Sequence, residues 1–155
     1  MDEAIAIGKK AITMAPNLDT NYATLSGITR YAGKFEESIQ LYKKAMRLNP
    51  FYPAVYLYGY STSLLMAKRY KEALDAYNKL LDRAQKGEFP PFFAHLGLCA
   101  VYAELGNVEE AKTHLSEIIK INPSFSLEKA KKMAHYRNPQ HSEQWLGSLR
   151  KAGLK

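Results

Sequence analysis

The sequence predicts an all-α protein built from stacked helical hairpins, a solenoid with further helices closing its C-terminal end. Four segments repeat one amphipathic pattern, apolar segments precede three of them, and glycine or proline stands where helices must stop. The repeating segments are Asp2 to Pro16, Phe35 to Pro50, Tyr70 to Leu81 and Val108 to Pro123. A small residue recurs near the head of each, at Ala4, Ser38, Ala73 and Ala111. A second core position follows four residues on, at Gly8, Tyr42, Tyr77 and Leu115. Positions i and i+4 share a helical face, so each segment carries an apolar stripe. The spacing from Ala11 to Ala45 equals that from Pro16 to Pro50, whereas Ser38 to Ala73 is longer by one and Ala73 to Ala111 by four, so insertions fall in the third unit.

Ahead of the second, third and fourth segments the pattern predicts first helices over about Thr20 to Tyr31, Pro53 to Ala67 and Pro91 to Leu105. Gly33 and Gly106 suit the left-handed residue that ends a helix before a tight reversal. Asn49-Pro50 and Asn122-Pro123 end the second helices, because proline neither continues a helix nor favours helical geometry in the residue before it. Glu36-Glu37 and Glu109-Glu110 open second helices, where negative charge complements the helix dipole. The third unit carries an extra residue in or near its first helix, and its second helix reaches toward Gln85-Lys86-Gly87, so its turn is expected to be irregular. Residues 126 to 152 leave the repeat register. They read as two helices, Ser126 to about His135 and Asn138-Pro139 to about Ala152, with Asn138 as cap and Pro139 in the first turn.

A helix-turn-helix unit with these positions, recurring every ~34 residues, resembles the tetratricopeptide repeat. In the fourth unit Leu98, Cys99, Tyr102, Gly106, Val108, Ala111, Leu115, Ile118 and Pro123 fall on the family's signature, with His95 where tryptophan is commonest. The second unit matches at Tyr22, Leu25, Ser26, Gly33, Phe35, Tyr42, Ala45 and Pro50, and departs at Thr29. The resemblance implies a right-handed superhelix over residues 1–125, divided into a half repeat 1–17 and repeats of about 18–52, 53–91 and 92–125, with capping helices in 126–155. It also implies a concave groove lined by first helices, and a non-catalytic scaffold that holds a protein or peptide partner there. The groove positions are Thr20, Ala23, Thr24, Gly27, Arg30 and Tyr31, then Val55, Tyr58, Thr62 and Leu65, then Phe93, Leu96, Ala100 and Glu104. Of these, Arg30, Tyr31, Tyr58, Thr62, Phe93, Leu96 and Glu104 are the expected partner-binding set. Tyr58 serves equally well as packing between hairpins, since one residue of register error turns a helical position by about 100°.

The stretch from Phe125 onward is similar to the C-terminal tails of bacterial class III adenylate cyclases and related signalling proteins that end in such an array. The likeness rests on Phe125 to Glu128, Tyr136 to Pro139 and Leu149 to Leu154, and it implies a signalling setting without any catalytic residue. At the other end, the first helix has no preceding hairpin. Ile5, Ile7, Ala11, Ile12 and Met14 are expected to leave apolar surface uncovered, which suits self-association through Ala4, Ile7 and Ala11 or a missing upstream domain.

Composition narrows the function classes. With 46% hydrophobic and 24% charged residues the chain is neither disordered nor fibrous, and no apolar run approaches the length of a membrane span. The acidic start Met1-Asp2-Glu3 lacks the form of a signal peptide, so a cytoplasmic address is expected. Net charge is +7, of which residues 126–155 contribute +5, from seven basic against two acidic groups. Apolar residues interrupt these charges, so a solvated helix face is expected rather than a nucleic-acid site. Cys99 is the sole cysteine, and His95 lies four residues before it on one helical face, but two ligands are too few for structural zinc. His114, His135 and His141 are expected at the surface or in the cap. No phosphate-cradling loop, nucleophile elbow or His-Glu-x-x-His helix occurs, so neither enzymatic chemistry, a metal nor a cofactor is expected.

Overall fold

A computed structural model describes residues 1–155 as nine α-helices without strands. They are α1 (Asp2–Met14), α2 (Asp19–Tyr31), α3 (Phe35–Leu48), α4 (Ala54–Met66), α5 (Tyr70–Gln85), α6 (Pro91–Glu104), α7 (Val108–Ile121), α8 (Leu127–Met133) and α9 (Pro139–Lys151). Helices α2 and α3, α4 and α5, and α6 and α7 pair as hairpins, while α1 packs on α2 and each second helix packs on the first helix of the next hairpin. The first helices α4 and α6 are buried on nearly every side, as a helix apolar all round must be.

Small residues let the helices approach, and large ones fill what remains. The Ser38 hydroxyl donates to the Ser26 carbonyl at 2.8 Å, and its oxygen lies 2.9 Å from that of Ser63, which ties α2, α3 and α4 together. The Tyr42 ring occupies the space beside Gly59 that a Cβ would take, and Tyr77 does the same at Gly97. Asn49 and Tyr56 both donate to the Asp19 carboxylate at 3.1 Å, joining the start of α2 to the end of α3 and to α4.

The third unit is more regular than its sequence suggests. Its turn places Lys68 at φ 61°, the conformation of Gly33 and Gly106 in the neighbouring turns, and repeats their hydrogen bonds. Lys34 N–H donates to Thr29 O, Arg69 N–H to Leu64 O and Asn107 N–H to Tyr102 O, all at 2.8 to 2.9 Å. The expected irregular turn is therefore absent. The extra residue lies in the connection Phe51-Tyr52-Pro53 before α4 and not in the helix, since the stretch from Asp19 to Gly33 matches in length that from Ala54 to Lys68. A connecting loop absorbs an insertion at little cost, whereas a helix would rotate every later side chain off its face.

The C-terminal helices lie across the inner side of the stack. Ser126 and Asn138 cap α8 and α9, and α9 packs on α6 and reaches α4, while α8 packs on α9. Leu146, Leu149, Ala152 and Leu154 join the main core, which runs from Ile39 to the C-terminus.

Candidate functional site

Inner-face positions of successive first helices fall in register, with one constant offset between α2 and α4 and another between α4 and α6. Thr20, Val55 and Phe93 form one row, Ala23, Tyr58 and Leu96 a second, Gly27, Thr62 and Ala100 a third, and Tyr31, Met66 and Glu104 a fourth. These rows make the concave face. Part of it is already occupied, because the segment from Met133 through α9 lies on it.

Six of the seven residues expected to bind a partner converge. Arg30, Tyr31, Tyr58, Thr62, Phe93 and Leu96 line one cavity of about 50 Å³, whose far wall is Met133, Ala134, Tyr136 and Trp145. The C-terminal segment thus supplies the wall that sequence reasoning missed. Tyr58 is half-buried with its ring 5.4 Å from Phe89 and 5.6 Å from Phe93, so it both packs and faces the cavity. Thr62 and Leu96 are almost wholly buried. The Thr62 hydroxyl sits 2.9 Å from the Tyr77 hydroxyl.

Glu104 stands apart from the other six. It accepts from Ser148 at 2.6 Å and from Lys151 at 2.8 Å, anchoring the end of α9. Burial opposes its ionisation, but these two donors outweigh it and hold the carboxyl below its usual range. Gln144 donates to the Met66 carbonyl at 3.1 Å, and the Arg137 backbone N–H donates to the Tyr31 carbonyl at 2.8 Å. Arg137 also pairs with Asp2 at 2.7 Å, and His141 packs edge-on to Phe35 at 4.8 Å. The segment therefore spans the inner side from unit two to unit four.

Arg30 is the one charged side chain among the buried residues, 7% exposed. Its guanidinium lies 4.4 Å from the Tyr31 ring centre and 6.0 Å from that of Tyr58, and its Nε has no hydrogen-bond partner. Desolvating an ion costs several kcal/mol, of which a buried cation–π contact returns about 2 kcal/mol. The negative end of α2 compensates a further part, since Arg30 lies in its last turn. Burial pushes the facing Tyr136 hydroxyl up to about 12.

Beyond the C-terminal segment the concave side is open. A hollow of about 490 Å³, walled almost entirely by apolar atoms, is lined by Met1, Ala4, Thr24, Gly27, Ile28 and Tyr31. Thr24 also borders a smaller hollow with Thr20, Ala23 and Val55, which makes the open stretch continuous. The three residues expected to associate with a second copy divide: Ile7 is 61% exposed, while Ala4 and Ala11 are half-buried. Ile5 is buried rather than uncovered, and Met14 is exposed.

The remaining chemistry-bearing groups are structural. Burial pushes the Cys99 thiol up to about 12, far from a reactive thiolate. His114 departs from the surface position expected of it, while His141 lies on α9 in the C-terminal segment. His114 is half-buried with its Nδ1 2.9 Å from that of His95, and the buried Nδ1 of His141 has no partner; His135 is exposed. No three His, Cys, Asp or Glu side chains converge as metal ligands, and no helix is long and apolar enough to cross a membrane. Among the basic residues of the C-terminal region, Lys132, Arg137, Arg150 and Lys151 each meet a carboxylate.

A stack of helical hairpins with a concave inner face is the architecture of a repeat scaffold. Tetratricopeptide-repeat family models match residues 30–89 and 100–125, and the chain belongs to the tetratricopeptide-repeat proteins. Among solved structures, MamA aligns at a TM-score of 0.71 with 21% identity, over 97% of this chain and 85% of that one. YrrB, described as a TPR protein with an unusual peptide-binding site, aligns at 0.66 with 19% identity, over 97% and 75%. TTC0263, a thermophilic TPR protein of Thermus thermophilus, aligns at 0.61 with 16% identity, over 95% and 72%. At these identities the likeness is one of fold. The curated proteins offer no match.

Proposed function

We propose that the chain is a non-catalytic scaffold that takes a partner's amphipathic helix on the open part of its concave face. The observation that carries this reading is that the same face already seats a helix. Its own α9 lies there with Leu146 and Leu149 buried, Gln144 bonded to Met66, and Ser148 and Lys151 bonded to Glu104. The adjoining hollow between α1 and α2 continues this apolar surface and is of ligand-pocket size. A helix with large apolar residues at i, i+3 and i+4 would anchor there, with Tyr31 as the aromatic edge. The likeness of the C-terminal stretch to adenylate cyclase tails supports placing the scaffold in a signalling protein. Screening a library of helical peptides tests the reading. Thr24→Arg, at an exposed position on both hollows, is expected to abolish capture without loss of helicity. Capture that survives this substitution would place the partner elsewhere.

A second reading, assembly through α1, rests on the exposure of Ile7 at 61% and Met14 at 77% on one helix. Light scattering across a concentration series is then expected to show a mass above that of the monomer which Ile7→Glu reduces. A monomer at every concentration removes this reading.

A further inference from the structure

Four other arginines of this chain, Arg69, Arg83, Arg137 and Arg150, each meet a carboxylate, yet all four are more exposed than Arg30. Arg30 is buried and meets none. Burial opposes its charge, and the side chains around it are those of Tyr31, Tyr42, Tyr58 and Tyr136. Its Nε is sealed from solvent without an acceptor, although the guanidinium borders a cavity. A buried cation without an anion is the arrangement proteins avoid, and the chain supplies none of its own here.

The cavity has the dimensions for an anion. About 15 Å³ on this measure holds one water, so 50 Å³ takes three or four heavy atoms, the size of formate or acetate. One guanidinium balances one negative charge, and its planar fork matches the two oxygens of a carboxylate. A phosphate dianion would leave charge uncompensated. We propose that this cavity is a binding site for a small monocarboxylate, with Arg30 as counter-ion and Tyr31, Tyr58 and Tyr136 among its walls. The Tyr136 wall exists only while the C-terminal segment is docked. A bound carboxylate therefore stabilises the docked form over the released one by mass action. Of the residues lining this cavity and the open hollow, Tyr31 alone is common to both.

The test follows the Arg30 Nε–H resonance of the unaltered chain as sodium formate, then acetate, replaces sodium sulfate at constant ionic strength. A saturable shift is expected at Arg30 and not at the exposed Arg47, with a rise in melting temperature over the same range. In Arg30→Met the saturable rise is expected to vanish. A drift at Arg30 no different from that at Arg47 would overturn the proposal, and so would an equal saturable response to chloride, which lacks the carboxylate's shape. Because the resonance is read on the unaltered chain, a folding defect in the variant would leave the outcome decided.

Discussion

At Gly97 a hydrogen is the only side chain the packing allows. The Tyr77 ring, wholly buried, lies where a Cβ would stand, and both helices there are held by neighbours on their other faces. Gly97→Ala gains roughly 1 kcal/mol of helix propensity, but overpacking a rigid core costs more. The expected result is a net loss of about 1–3 kcal/mol, read from urea unfolding. Gly147 supplies the contrast, because nothing lies within 4 Å of its added Cβ in α9. Gly147→Ala is expected to stabilise by about 0.5–1 kcal/mol through propensity alone. Loss of stability in both would deny the Tyr77 contact its role. The pairing of Tyr77 with a small residue was half legible: the four-residue spacing from Ala73 marks Tyr77 as inward-facing. Which residue receives the ring depends on how α5 crosses α6, and local sequence does not specify that crossing.

Between elements, α6 and α7 meet through two imidazoles. The His95 and His114 Nδ1 atoms share one hydrogen bond at 2.9 Å, and the Tyr102 ring stacks on His114 at 5.6 Å. Burial, then the neighbouring His95, push the His114 pKa from 6.5 down to about 4, while Glu117 opposes the shift. A folded value below the unfolded one means that the unfolded chain binds the proton first. Stability is then full above about pH 6.5 and declines as pH falls toward 4, a window that opens above the carboxylates. His114→Gln is expected to flatten that part of a stability-against-pH profile measured by urea unfolding. An unchanged slope in the variant would assign the dependence to other groups. The helices themselves were legible from apolar period, glycine stops and Asn-Pro ends. The histidine pair was not, because His95 and His114 lie on different helices and meet only when the hairpin closes. The Lys68 turn misled in the other direction. Lysine gives no left-handed signal, yet the flanking helices impose φ 61° upon it.

On the scale of the whole molecule, a solenoid's stability is ordinarily a sum of units and nearest-neighbour interfaces. Here the C-terminal segment adds longer ties, from Arg137 to Tyr31 and Asp2, from Gln144 to Met66 and from Ser148 to Glu104. The order of the inner-face rows was legible from the repeat. Their occupation was not, since Tyr136 and Trp145 lie outside the repeat register and reach Arg30 only through the return of the chain. These ties link units that are not neighbours in the stack, so the array is expected to unfold as one cooperative step. Leu149, fully buried in α9, carries the test. Leu149→Ala is expected to cost about 2–5 kcal/mol, and Leu149→Glu to release α9 altogether. Without the brace, hydrogen exchange should separate into two stages, with α6 and α7 opening before α2 and α3, and the emission of Trp145, the chain's single tryptophan, should shift to the red. If all helices of Leu149→Glu still exchange together, the nearest-neighbour interfaces alone hold the array as one unit, and α9 only covers the inner face without coupling its rows.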